Sequence, residues 1–399
     1  MIPKSLSKIS LVSFGNIFNA VLGFLFLSTV AKTLTIADFG KYALLTSLLV
    51  SLSKIIDFGT NSIFVAKSIT NENKILNTFL SLKIVLFIIC VPISFAFLYF
   101  LKIASIENLI LFFYGLVFYG INITLFAFFQ RDEKFNFAVL INTVPASIKG
   151  LFAVLILSGI IRINVTQAFA IFSISMLASA IFLGRIASEL RSFKFSTSGV
   201  TELLHQSLFA GFSQLVSNGW SAISNSIAKI VKTFTDVGIF SLADKIASIF
   251  SLVSISIFTV LLPKNAARKR DKQNYDFKET IIIAGGILAV SFLTTLVAGF
   301  FVDFVFKGKY EQSIPLINIL VIASALTAIH TFIENYFYVE EKTHQLFYIT
   351  LTKLAVFFIA CFLLIPSLAL KGLALAQLCA AAAALIATLS LIIIRPAKS

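Results

Sequence analysis

Apolar positions along the chain fall into twelve long runs, and polar positions gather in the short stretches between them. The runs predict helices over 9–30, 43–64, 79–101, 109–129, 137–161, 167–186, 207–229, 237–262, 281–306, 314–338, 344–364 and 370–394. Each holds roughly 20 residues, enough for a helix to cross a hydrocarbon core of ~30 Å. Strands of a membrane barrel would be about half as long and would alternate apolar with polar residues. The expected fold is therefore an all-α polytopic membrane protein of about twelve transmembrane helices. The first run carries no small-residue cleavage site and reads as a retained anchor.

Inside these runs, polar residues recur at helical spacing. On the seventh helix Gln214, Asn218, Ser221 and Asn225 fall at i, i+4, i+7 and i+11, one continuous stripe. The first helix has Ser13, Asn16 and Asn19; the second has Ser47, Ser51 and Lys54. The eighth has Ser241, Asp244, Lys245, Ser248 and Ser251, and the tenth has Thr327, His330, Glu334 and Tyr338. Amides and charges at this depth are costly against lipid, so these faces turn toward other helices or water. Interhelical hydrogen bonding accounts for the Ser and Thr positions. The amide stripe of the seventh helix, echoed by Asn16 and Asn19 on the first, reads as the lining of a water-filled cavity.

The first and seventh helices are counterparts because the chain repeats itself. AKTLTIADFGKYALL (31–45) matches VKTFTDVGIFSLADK (231–245); Lys32, Thr33 and Thr35 stand 200 residues before Lys232, Thr233 and Thr235, after which the register slips by two. Six helices precede the second copy. Because six is even, the halves insert in the same orientation, related by an axis along the membrane normal. The expected lobes are 1–190 and 207–399, six helices each, joined by a cytoplasmic linker at 191–206. Both repeat segments fall at outer turns, so the repeat marks architecture and the chemistry is expected deeper.

Composition removes the soluble alternatives: 58% of residues are hydrophobic, 44 are Phe, and only 13% are charged. With the amino terminus inside, cytoplasmic segments carry about twice the Lys and Arg of the opposite loops, which places both termini in the cytoplasm. The densest basic run, Lys264–Lys272, suits anionic lipid headgroups. No zinc, RNA-binding or helix-turn-helix pattern accompanies it, and no nucleic-acid partner is expected. Cys90, Cys361 and Cys379 all fall inside helices as small apolar residues. No metal site, cofactor or catalytic group is expected.

Five lysines interrupt the apolar spans: Lys54, Lys83, Lys149, Lys245 and Lys353. Lys83 and Lys245 lie near helix ends, where a long side chain snorkels to the interface. Lys54 has Asp57 one turn on, and Lys245 has Asp244 beside it, so ion pairing within or between helices is one reading for both. Lys149 and Lys353 sit near mid-helix with no carboxylate within four residues. Two readings stand side by side for them: an anion that enters and leaves, such as phosphate or pyrophosphate, or a pair with Glu334 across helices. Glu334, Asp57 and Asp244 are candidate sites for a coupling ion, and His330, one turn before Glu334, is placed to relay a proton. Pro145, Pro315 and Pro366 lie in or at the ends of the fifth, tenth and twelfth helices.

The early segment AKTLTIADFGKYALLTSLLVSLSKIIDFGTNSIFVAKSI resembles that of the polysaccharide-biosynthesis flippases of the multidrug/oligosaccharidyl-lipid/polysaccharide exporter superfamily. The residues that carry the likeness are Lys32, Leu34, Phe39, Gly40, Tyr42 and Ala43, then Asp57, Phe58 and Gly59. DVGIFSLADKI, KGKYEQSIPLINIL and LLIPSLALKGLALA extend it in order through the second half. One departure is plain. The acid–base pair common on the family's seventh helix would fall near Asn225 and Ser226, where this chain has none.

The resemblance implies two six-helix lobes forming a V around a cationic cavity lined by helices 1, 2, 7 and 8. It implies a flippase moving an undecaprenyl-pyrophosphate-linked oligosaccharide, such as an O-antigen repeat unit, from the cytoplasmic to the periplasmic leaflet of a bacterial inner membrane. Lys149, Lys353, Lys54 and Lys245 would hold the pyrophosphate, with H+ or Na+ as coupling ion. Membrane lipids, a glycan polymerase and a chain-length regulator would be partners. A drug or cation exporter of the same fold would favour an acidic cavity, against the lysines here. A membrane-embedded polymerase, ligase or glycosyltransferase would need a sizeable outer loop with acids, bases or metal ligands, and the loops are short.

Overall fold

The computed structural model describes residues 4–67, 72–248, 277–334, 336–337, 342 and 344–394. Among these, every regular element is helical, and nine helices are long and apolar enough to cross a membrane. The chain is an all-α polytopic membrane protein. In order the helices are α1 (Lys4–Thr33), α2 (Ile36–Asp57), α3 (Thr60–Lys67), α4 (Glu72–Phe100), α5 (Ile106–Arg131), α6 (Phe135–Leu157) and α7 (Val165–Ser175). There follow α8 (Ala187–Ser192), α9 (Val200–Val231), α10 (Phe234–Ala247), α11 (Phe277–Phe306), α12 (Ile314–Ile333) and α13 (His344–Ile394). A 3₁₀ run, Met176–Ile186, joins α7 to α8.

Local chemistry sets the ends. Thr35 caps α2, its hydroxyl accepting from the Asp38 amide at 3.1 Å, and Ser105 caps α5 from the same position in its own turn. Asn164 and Gln167 form a reciprocal capping box on α7. The predicted second helix is cut in two, because Phe58 (φ 41°) and Gly59 (φ 74°) turn left-handed and restart the chain as α3. The predicted eleventh and twelfth helices join as α13 across Ala369 (φ 49°), just after Pro366. Pro145 lies inside α6, and Pro315 opens α12, where its missing N–H has no helical partner to lose. The predicted eighth helix is described only as far as Ala247 at the end of α10 and the turn through 248. The basic run Lys264–Lys272, together with Ser251 and Tyr338, lies outside the described residues.

Contacts group the chain into two compact units, Met1–Gly238 and Ile239–Ser399. In the first, an aromatic cluster ties α3, α4 and α5: Phe64 stacks on Phe79 at 4.1 Å and meets Phe128 edge-on at 5.3 Å. Helix α1 lies along α6, with Gly15 under Val139 and Gly150 under Leu22. Helix α2 lies along α9, where Gly219 faces the Ser51 hydroxyl and Gly211 meets the Phe58 carbonyl. Small residues let backbones approach where lipid supplies no hydrophobic drive between helices. In the second unit α12 packs against both α11 and α13.

Large apolar side chains remain bare on the outer faces, among them Ile88 on α4, Phe300 on α11 and Phe362 on α13. Such a surface suits hydrocarbon and not water.

The structure also corrects the repeat. Thr233 caps α10 by the same bond to Asp236 that Thr35 makes to Asp38 at the start of α2. The equivalence is therefore Thr35 with Thr233, Asp38 with Asp236 and Gly40 with Gly238, two residues shorter than the Lys-Thr match and without a slip. These equivalent segments touch. A methyl group on Gly40 would overlap the Phe234 carbonyl oxygen, and one on Gly238 would overlap that of Ile36.

Candidate functional site

The informative chemistry is the charge and amide content buried within the helices. Asp57 ends α2 beside the left-handed turn at Phe58, and Lys83 comes from α4 to meet it. Lys83 Nζ lies 3.2 Å from Asp57 Oδ1 and 2.7 Å from Asn61 Oδ1, and it sits over the Phe79 ring. Asn61 passes the network on, donating to the Ile123 carbonyl of α5 at 3.1 Å. Lys83 is only 5% exposed, so the expected snorkelling does not occur; a carboxylate and an amide satisfy its charge inside the unit. Nor does Asp57 pair with Lys54. Lys54, half-buried one turn earlier, has no ion pair among the described residues.

Lys149 has a different environment. It projects from the middle of α6 with its Nζ 4.9 Å from the centre of the Phe172 ring on α7. Phe172 in turn meets Tyr42 of α2 edge-on and stacks with Tyr119 of α5. Among the described residues no carboxylate or hydrogen-bond acceptor reaches the ammonium, and the Phe172 ring is the group that faces its charge. Sequence spacing did not bring out this aromatic group, since its members come from three helices.

The amide stripe divides along α9. Gln214 and Asn218 are exposed, with Asn218 donating to the Gln214 carbonyl at 2.7 Å; Ser221 is half-buried. Asn225 is buried and donates to Ser47 of α2 at 3.2 Å, so it ties the α2–α9 seam. On α1, Asn16 is exposed, and the Oδ1 of half-buried Asn19 is enclosed without a partner among the described residues.

The second unit holds a compact polar cluster. Glu334 follows the last turn of α12, and His330 Nε2 lies 3.2 Å from its Oε1. Thr388, far along α13, places its Oγ1 3.0 Å from His330 Nδ1. Lys353, from the first arm of α13, acts electrostatically on Glu334 and on His330. The two mid-helix lysines thus part company: Lys353 has a carboxylate in range, and Lys149 has a ring. Of the remaining candidates, Asp244 is buried on α10 and Lys245 beside it is half-buried without an ion pair among the described residues.

At the end of α5, Arg131 bridges Asp132 at 2.7 Å and Glu189 of α8 at 3.1 Å, and Lys134 closes on Asp132 at 2.8 Å. Burial pushes the Asp132 carboxyl up, but the hydrogen bonds from Arg131 and Lys134 outweigh it and hold the group below the usual carboxylate range. Among the described residues no cluster of His, Cys, Asp and Glu is arranged to hold a metal ion.

A profile of the family described as "Polysaccharide biosynthesis protein" matches residues 5–267. The chain belongs to the polysaccharide biosynthesis protein family. Its fold is that of an inward-facing multidrug resistance MATE family transporter of the MOP superfamily, at a TM-score of 0.72 and 15% identity over 97% of both chains. It is equally that of the lipid II flippase MurJ in an inward closed conformation, at 0.75 and 13% identity over 96% of this chain and 87% of that one. A MATE structure in a bent conformation matches at 0.61 and 16% identity over 97% of this chain and 95% of the other. None of the curated proteins matches the chain in sequence. The resemblance read from the motifs at Lys32–Ala43 and Asp57–Gly59 is thereby met at the level of family and fold.

Proposed function

We propose that this family member is a flippase carrying an undecaprenyl-pyrophosphate-linked oligosaccharide, an O-antigen or related repeat unit, from the cytoplasmic to the periplasmic leaflet of a bacterial inner membrane. The observation that carries the reading is Lys149, a cation at mid-helix with no carboxylate among the described residues. A charge so placed is costly unless an anion shares the site for part of the cycle. A pyrophosphate supplies that anion. The face of Phe172, itself held by Tyr42 and Tyr119, holds the ammonium between visits.

In this reading the lobes 1–190 and 207–399 rock about the linker 191–206 to expose the site alternately, both termini staying cytoplasmic. Lys149 and Lys54 take the pyrophosphate, with Lys245 and Lys353 as further cations. Gln214, Asn218, Ser221, Asn16 and Asn19 face the sugars, and the polyprenyl tail stays in lipid. Asn225 reads better as a tie on the α2–α9 seam. H+ or Na+ drives the cycle, with Asp57, Asp244, His330 and Glu334 as candidates. A glycan polymerase and a chain-length regulator would act on the delivered unit. A drug or cation exporter of this fold is disfavoured, because the half-buried charge at Lys149, with no carboxylate near it among the described residues, is positive.

The test is surface glycan display. Lys149→Ala is expected to lower it roughly 10- to 100-fold, the range for losing a charged hydrogen bond worth about 1.5–3 kcal/mol. The amount of inserted protein should stay unchanged, and Lys149→Arg should keep part of the display. Full display from Lys149→Ala would overturn the role of the residue.

A further inference from the structure

The cluster of His330, Glu334, Thr388 and Lys353 contains one hydroxyl with two claims on its hydrogen. Thr388 Oγ1 lies 2.8 Å from the Ala384 carbonyl of its own helix and 3.0 Å from His330 Nδ1. A hydroxyl has one hydrogen and two lone pairs, so it donates to one of these at a time and remains able to accept. The opposite ring nitrogen, Nε2, is fixed against Glu334 Oε1 at 3.2 Å. His330 is 6% exposed, and Thr388 is fully buried.

With Glu334 ionised, two arrangements satisfy both ring nitrogens, the hydroxyl and the facing carboxylate oxygen with the same heavy-atom positions. In one, Thr388 donates to a bare Nδ1, and neutral His330 donates from Nε2 to the Glu334 carboxylate. In the other, the Thr388 hydroxyl turns to the Ala384 carbonyl, and Nδ1–H donates to Thr388 while Nε2–H still donates to Glu334. They differ by one proton. That proton comes from a hydronium ion, whose O–H bond breaks to leave water as the Nδ1–H bond forms; within the protein only the threonine hydrogen rotates. The third combination, Nδ1–H with a bare Nε2 facing an ionised carboxylate, sets lone pair against lone pair and is excluded. With the added proton shared on to Glu334, its O–H donates to Nε2 and Nδ1–H still donates to Thr388, so either way the gained N–H bond is at Nδ1.

We infer that His330, clamped between Thr388 and Glu334, is a built proton-binding site that takes up and releases one proton without moving its neighbours. Lys353 is the charge that faces it from α13 and acts on both His330 and Glu334. From α11 the described ionisable side chains are Lys278 and Asp303, both exposed. With Glu334 ionised and Lys353 charged, the cluster is neutral with the proton absent and carries one positive charge with it present. Proton uptake then satisfies Glu334 by a second cation and leaves more of the Lys353 charge for another anion. The site stands on its own geometry; its use to drive export rests on the flippase reading above.

The experiment reads the ring directly. The chain has three histidines, and His205 and His344 are exposed. His205→Gln and His344→Gln therefore leave His330 as the sole signal for ¹⁵N-histidine NMR of the full chain in lipid nanodiscs. At high pH the expected state is neutral with Nδ1 bare and Nε2 protonated; lowering the pH should protonate Nδ1 in a single step. Glu334→Gln removes the anion and should move that step to lower pH by roughly one unit or more. Thr388→Val removes the acceptor of the added proton and should move it the same way, while Lys353→Met should move it to higher pH. A neutral Nδ1–H form at high pH, a ring that never changes between pH 4 and 9 (approximate limits set by chain stability), or a step indifferent to all three substitutions would overturn the site. Because no cargo is involved, these outcomes are separate from the glycan-display result for Lys149.

Discussion

At the scale of single residues, partners decide what a buried charge means. Lys83 and Asp57 hold each other at 3.2 Å with little solvent access. Breaking such a pair strands one charge, so Asp57→Asn or Lys83→Met alone should cost about 3–5 kcal/mol, read as a large fall in melting temperature in detergent. The double variant Asp57→Leu with Lys83→Met removes both charges and should melt closer to the parent than either single variant. If the double variant instead falls by the sum of the two, the pair is not coupled. None of this was legible in the sequence, where Lys54 is the basic residue nearest Asp57 and Lys83 only looks near a helix end. Pairing of that kind depends on which helices are neighbours, and local spacing carries no such information. Lys149 was legible for the converse reason: an isolated cation in an apolar run needs no neighbour to be conspicuous.

At the scale of elements, hydropathy located the spans well and their interruptions poorly. A window about 20 residues long averages over one reversed backbone torsion, so the breaks at Phe58–Gly59 and Ala369 leave little trace. Pro366 and Gly372 do mark the second break, because a methyl group on Gly372 would overlap the Leu364 carbonyl oxygen. Ala369 holds φ 49° and ψ −125°, a region that suits glycine and strains any residue with a Cβ. Ala369→Gly should therefore stabilise the α13 bend by about 1 kcal/mol, and Gly372→Ala should destabilise it by more. Thermal unfolding of the two variants in one detergent tests the pair; a lower melting temperature for Ala369→Gly would show that the bend is unstrained.

At the scale of the molecule, fold class came from composition and period, and the family from motifs whose order runs through both halves. The repeat was legible, but its register was not, because the Lys-Thr letters match better than the Thr-x-x-Asp caps that perform the same task. The caps place Gly40 and Gly238 at a backbone-to-backbone crossing with no room for a side chain. Gly40→Ala and Gly238→Ala should each spread this crossing, exposing a cysteine placed at the buried Leu34 to a membrane-impermeant thiol reagent several-fold faster than in the parent. Unchanged labelling in both would show that the crossing yields elsewhere. The two glycines are also one position written twice. In an ancestor with a single copy of this segment, that residue would have faced its own duplicate across a twofold axis. Every mutation there would have struck both sides of the contact at once. Joining the copies in one chain lets each copy change alone: the equivalent positions Phe39 and Val237 now differ, as do Tyr42 and Phe240.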